Sequence, residues 1–141
     1  MAEYLLDTDH LSYVQEGDPG VVARLAAFSP EDRIVTSAIN LGERLRGGYL
    51  FPDGRRKRQL LRLCREVIGR LEEVLPVTRS VGAVFAATDV DLRKKGRPIP
   101  VSDVWIAAVA LVRGAVLVTN DDPFSHLHGL SPENGVREAE I

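Results

Sequence analysis

The chain has 141 residues, of which 45% are hydrophobic and 27% charged, with a formal net charge of −2. Those values describe one ordinary globular domain, residues 1–141, long enough to bury roughly two thirds of the surface its unfolded chain exposes. They exclude a helical membrane span, because no apolar run approaches the ~20 residues required, and a disulfide framework, because Cys64 is the single cysteine. No secretory pattern is read ahead of the first apolar run, so the cytoplasm is the expected compartment.

In chain order, Tyr4-Leu5-Leu6 is a short bounded apolar run that stops on Asp7-Thr8-Asp9, the pattern of a strand buried on both faces. Asp7 or Asp9 then either caps the next helix or stands at the carboxyl end of a strand, where open α/β sheets carry their ligands. A short helix over Leu11 to Glu16 is stopped by Gly17. Asp18 caps a second helix, with Pro19 in its first turn, running through Val21, Val22, Leu25 and Phe28. Ile34-Val35 is a brief strand, and Thr36 or Ser37 caps a helix that runs to about Gly47. A connection rich in breakers joins Gly47-Gly48 to Pro52-Asp53-Gly54.

From Arg55 to about Glu73, Leu60, Leu63, Cys64, Val67 and Leu71 form an apolar helical stripe that keeps Cys64 as a small core residue, with Arg58, Arg62 and Arg65 off it. Val74 to Val77 is a candidate strand. Residues 80–95 make a helix with Val81, Val84, Phe85 and Leu92 inward, ended by Gly96 and Pro98. Ser102 to Val112 is apolar nearly all round and reads as a buried central helix. Val116-Leu117-Val118 is a second buried strand, and Val136 to Ile141 an edge strand. Strands alternating with helices predict an α/β fold with a parallel sheet.

Four acidic positions stand out. Asp7 ends the first strand. Glu43 lies one turn beyond Ile39 in the third helix, next to Gly42, a residue costing about 1 kcal/mol against Ala there and therefore expected where something packs closely. Asp103 opens the most apolar helix, where the helix dipole also favours a carboxylate. Asp121 and Asp122 follow the strand 116–118, repeating the pattern of strand followed by acid. Turn and cap chemistry accounts for each singly, but not for two buried strands that both end on carboxylates.

Two like charges 4 Å apart repel by about 4 kcal/mol at an effective dielectric of 20, so convergence of these acids requires protonation or a cation. An all-oxygen donor set selects Mg²⁺ or Mn²⁺ over zinc. His10, His126 and His128 lack zinc spacings and are expected at the surface. Nine basic residues between Arg44 and Arg70, against Asp53 and Glu66, supply faces suited to nucleic-acid phosphates; Arg44, Arg46, Arg55, Arg56, Lys57 and Arg58 are the candidates. Carboxylate-held divalent ions activate water and stabilise the leaving oxygen of a phosphodiester, so metal-dependent phosphodiester hydrolysis is the leading chemistry.

Leu5-Leu6-Asp7-Thr8-Asp9, Glu43-Arg44-Leu45-Arg46-Gly47, Gly96-Arg97-Pro98 with Asp103-Val104-Trp105-Ile106-Ala107-Ala108, and Val118-Thr119-Asn120-Asp121 occur in the order found in PIN-domain ribonucleases. The chain most resembles the VapC-type toxins of bacterial toxin–antitoxin pairs, and Gly129-Leu130 with Glu133-Asn134 resembles the segment leading into their last strand. The resemblance implies a three-layer α/β/α domain around a central, mainly parallel sheet and an endoribonuclease using Mg²⁺ or Mn²⁺. It makes Asp7, Glu43, Asp103 and Asp121 the metal-binding acids, with Thr119 helping to orient the last site; Asp122 is the alternative to Asp121, and Asp9 is an additional carboxylate beside the site. It also implies structured RNA such as tRNA as substrate, a homodimer, and a small antitoxin whose tail blocks the site. Two alternatives stand beside it. One is a haloacid-dehalogenase-like phosphatase built on Asp7-Thr8-Asp9. The other is a non-catalytic nucleic-acid or protein-binding module whose acids only cap helices.

Overall fold

A computed structural model describes residues 2–119, so the expected strand 136–141 and the candidates Asp121, Asp122, His126 and His128 lie outside the described residues. Four strands, β1 (Glu3–Leu6), β2 (Arg33–Ser37), β3 (Glu73–Leu75) and β4 (Val116–Val118), form one sheet in the order β3-β2-β1-β4, and every pair is parallel. Leu5 pairs with Val35 and Leu117, and Leu6 with Val118. The pleat therefore sends Leu5, Val35 and Leu117 to one face and Leu6 and Val118 to the other.

The first face is covered by α5 (Arg79–Lys94) and α6 (Val101–Arg113), which contribute Val81, Leu92 and the buried run Val104–Ala110 outside Trp105. Trp105 is instead half-buried and stacks on Phe85 with ring centroids 3.8 Å apart. The second face receives Leu11 and Val14 of α1 (Thr8–Glu16), Leu25 of α2 (Pro19–Ala26) and Val67 and Ile68 of α4 (Arg55–Gly69). The arrangement is the expected α/β/α sandwich. Among the described residues no helix is long and apolar enough to cross a membrane. Helix α3 (Ala38–Tyr49) follows directly from β2 and packs against α1, α4 and α6 at the carboxyl ends of the strands.

Several boundaries differ from the sequence reading. Helix α1 begins at Thr8 rather than Leu11, because the Asp7 side chain accepts the His10 N–H and supplies a cap three residues earlier. Of the two expected caps, Ser37 is the one that caps α3, but that helix runs through Gly47-Gly48 to Tyr49. Helix α4 ends at Gly69 and β3 starts at Glu73, since Glu72 N–H already donates to Ile34 in the neighbouring strand. Its buried stripe is Leu61, Cys64 and Val67 rather than one led by Leu60. Val22 is 46% exposed on the outer side of α2.

The glycines of α3 reverse the expectation for Gly42. A Cβ placed on Gly42 meets nothing within 4 Å, whereas one on Gly48 would lie 2.7 Å from Cδ2 of the buried Leu61. The close approach of α3 and α4 is therefore at Gly48. Gly42→Ala should stabilise the protein by about 0.5–1 kcal/mol through helix propensity alone. Gly48→Ala should lose that gain to overlap, with a net cost up to roughly 1–3 kcal/mol. Urea denaturation of the two variants checks this, and equal gains would mean a looser α3–α4 contact than the one described.

At the amino ends of the strands, away from the carboxyl-end crevice, Arg33 bonds Glu3 (3.1 Å) and Glu73 (2.9 Å), and Arg113 bonds the same two acids (3.1 and 3.0 Å). Hydrogen bonds from Arg33 and then Arg113 hold the Glu73 carboxyl below its ordinary value of 4.5. A depressed carboxyl stabilises the fold above its unfolded pKa, and that contribution is lost as pH falls through the folded value. Glu73→Gln should accordingly flatten the decline of the thermal midpoint below about pH 4.5, by a small, salt-sensitive amount because the group is exposed. Unchanged steepness in acid titrations followed by circular dichroism would show the network to be idle.

Candidate active site

The chain leaves β1 for β2 on one side, while β4 adds to β1 on the other, so the strand order reverses between β1 and β4. Ligands of open α/β sheets bind outside the carboxyl ends of strands at such a point. Leu6 and Val118 are register partners, so the next residues, Asp7 and Thr119, emerge side by side. Asp7 N–H donates to the Val118 carbonyl at 3.2 Å, and the Thr119 hydroxyl donates to Asp7 Oδ2 at 2.6 Å. Asp7 Oδ1 accepts the His10 backbone N–H at 2.8 Å and lies 2.9 Å from His10 Nδ1. Asp7 thus caps α1 while standing at the carboxyl end of β1, where the strand order reverses.

A second chain of hydrogen bonds reaches Glu43. Ser37 Oγ donates to Asn40 Oδ1 at 2.5 Å, Asn40 Nδ2 donates to Thr8 Oγ1 at 3.2 Å, and the Thr8 hydroxyl donates to Glu43 Oε1 at 2.6 Å. Ser37 and Asn40 are completely buried, and Glu43 is half-buried one turn further along the same helix face. Every donor in this series points towards Glu43, an arrangement in which each bond polarises the next. Neither Asn40 nor Thr8 was singled out from the sequence, and each carries an ordinary polar side chain in a helix. The available signal was the spacing of three between Asn40 and Glu43 after a capping Ser37.

Thr8 therefore joins the neighbourhoods of Asp7 and Glu43. Asp103 is half-buried in the first turn of α6, as its position in the sequence suggested, and Asp9 is exposed in the first turn of α1. Among the described residues no three His, Cys, Asp or Glu side chains are gathered tightly enough to cage a metal ion. His10 corrects the sequence reading. It is completely buried, not at the surface, because its ring is bonded to Asp7 three residues earlier.

The basic candidates divide. Arg55 and Arg58 are exposed and, with Gln59 and Arg62, line an open basin of about 530 Å³ along α4. Arg46 is exposed, Arg56 lies over the Phe51 ring at 5.2 Å, and Lys57 pairs with Asp53 at 2.9 Å. Arg44 is half-buried with a buried Nε that has no hydrogen-bond partner among the described residues, and its charge acts on Cys64 across the α3–α4 contact. Burial nonetheless pushes the Cys64 thiol up, the opposite of what a reactive thiolate requires.

The family model described as PIN domain matches residues 4–130 of this chain. Ribonuclease VapC1 of Haemophilus influenzae strain R2866 is 30% identical over 119 residues, 84% of this chain and 86% of that protein. Ribonuclease VapC5 of Mycobacterium tuberculosis is 32% identical over 106 residues, 75% of this chain and 77% of that protein. Among solved structures, VapBC-1 from nontypeable Haemophilus influenzae superposes with a TM-score of 0.83 at 27% identity, covering 94% of this chain and 98% of the other. VapBC2 from Rickettsia felis, bound to a DNA fragment from their promoter, gives 0.85 at 25% identity over the same shares. These matches set aside the phosphatase alternative.

Proposed function

The chain belongs to the PIN domain family, and on that premise we propose that it is a divalent-metal-dependent endoribonuclease of the VapC type, the toxin of a type II toxin–antitoxin pair. Its substrate is structured RNA such as tRNA, its partner a small antitoxin, its own state a homodimer, and its compartment the cytoplasm. The relatives named as ribonucleases and the likeness to VapBC structures support this reading. The observation that carries it in this chain is Asp7, held by Thr119 and His10 at the strand-order reversal and joined through Thr8 to Glu43.

The donor chemistry fits Mg²⁺ or Mn²⁺. Mg²⁺ keeps several waters and is usually held by one or two carboxylates together with substrate phosphate, rather than by a closed protein cage. Asp7 and Glu43 supply oxygen donors of that kind, with Asp103 from α6 and Asp121, or its neighbour Asp122, completing the acidic set. A divalent ion there supplies the charge that polarises a phosphodiester and makes water a nucleophile near neutral pH. Thr119 and His10 fix the Asp7 carboxylate, Thr8 fixes Glu43, and Arg55, Arg58 and Arg62 offer guanidinium groups to the RNA backbone.

Incubating the purified protein with total tRNA, in Mg²⁺, Mn²⁺ or EDTA and alongside Asp103→Asn, tests the reading. Discrete cleavage that needs the ion and is lost in the folded variant is the expected result. Activity that survives EDTA would refute the metal dependence, whereas a folded wild type that neither cleaves nor binds either ion by calorimetry would leave the acids as helix caps and favour a non-catalytic binding module.

A further inference from the structure

His10 raises a question that burial alone does not answer. Its ring is completely buried in the first turn of α1, edge-on to Tyr13 with centroids 5.4 Å apart. A carboxylate oxygen offers only lone pairs, so the nitrogen 2.9 Å from Asp7 Oδ1 must be the protonated one, Nδ1–H. That leaves Nε2 buried and without a hydrogen-bond partner among the described residues. A phenylalanine would fill such a site with no orphaned polar atom. What the imidazole adds is the single N–H directed at Asp7.

That N–H changes what Asp7 can bind. A carboxylate has about four lone-pair sites, two on each oxygen. Both sites on Oδ1 are taken, by the His10 backbone N–H at 2.8 Å and by the ring. The Thr119 hydroxyl takes one on Oδ2, which leaves a single lone-pair site, on that oxygen. Resting on the reading of Asp7 as a metal ligand, we propose that His10 is a positioning residue that makes Asp7 a one-oxygen ligand through Oδ2 and thereby sets the ion preference of the site. Ca²⁺ takes 6–8 oxygens and readily accepts both oxygens of one carboxylate, whereas Mg²⁺ requires near-octahedral, single-oxygen donors. With Oδ1 closed, the two-oxygen mode is unavailable and the smaller ions are favoured. Removing the ring N–H reopens it.

The test is calorimetric titration of Mn²⁺ and Ca²⁺ into the wild type, His10→Phe and His10→Asn, with urea denaturation to establish that each is folded. The Asn amide nitrogen can occupy the place of Nδ1 and restore the donor. Loss of such an outer partner typically weakens metal affinity 10- to 100-fold. His10→Phe should therefore bind Mn²⁺ roughly tenfold or more weakly while Ca²⁺ binding holds or tightens, and His10→Asn should recover the wild-type ratio. His10→Leu makes the same comparison with a smaller side chain should the ring of Phe not be accommodated. A folded Phe or Leu variant with the wild-type Mn²⁺/Ca²⁺ ratio overturns the role of His10 alone. A wild type that binds neither ion overturns it together with the metal-nuclease reading.

Discussion

Asp7→Asn is expected to lose RNA cleavage by about a thousandfold or more while remaining folded. Metal-assisted charge stabilisation is worth several kcal/mol in the transition state, and each 1.36 kcal/mol is tenfold in rate. The same substitution spares the architecture. Asn caps a helix about as well as Asp, its Oδ1 can keep both bonds from His10, and its amide can donate to a Thr119 hydroxyl that turns to accept. The remaining penalty is the lost charge at the start of α1, about 0.3–1 kcal/mol. Asp7→Ala should be equally inactive but clearly less stable, since it removes the cap and strands two buried donors, each worth roughly 1–3 kcal/mol. Single-turnover cleavage and urea denaturation on the pair separate the two duties of this carboxylate. A folded Asn variant that still cleaves RNA would refute Asp7 as the ion's ligand.

What was legible in the sequence follows from which interactions are local. The strands β1 and β4 and their polar ends could be read because a parallel sheet buried on both faces leaves short continuous apolar runs, and the next residue marks the crevice. Asp18 and Gly17 could be read as helix punctuation for the same reason. Packing phase could not. Leu60, Leu61 and Leu63 fit several helical stripes, and only the close approach to Gly48 selects Leu61. His10 and Asn40 escaped because their burial is licensed by side-chain hydrogen bonds, His10 to Asp7 and Asn40 to Ser37 and Thr8. A lone His or Asn gives no periodic signal. Glu43 was found as a residue, but the Thr8 hydroxyl that bonds it comes from a different helix, 35 positions earlier, which spacing within one helix cannot predict.

Asn40→Asp should be the most damaging conservative change in the protein, despite conserving volume. Thr8 has one hydroxyl proton, which it donates to Glu43, so it must accept from its other neighbour, and Asn40 Nδ2 provides that donor at 3.2 Å. A carboxylate in the same place provides none, and it is buried within the site of an existing acid. Removing a buried donor costs roughly 1–3 kcal/mol, and an uncompensated buried charge raises the loss to about 3–5 kcal/mol at neutral pH. The sign of the pH dependence is opposite to that of Glu73. Burial disfavours the charged form of the introduced group, so the folded state binds its proton more tightly than the unfolded state does. Stability should therefore recover as pH falls and worsen as it rises. Denaturant midpoints for the wild type and variant at pH 5 and 8 measure this. Added Mn²⁺ gives a second readout, because a cation near Glu43 would offset the new charge and narrow the gap at pH 8. A variant as stable as the wild type at both pH values would mean that Asn40 does not donate to Thr8, and that Glu43 is held by some other means.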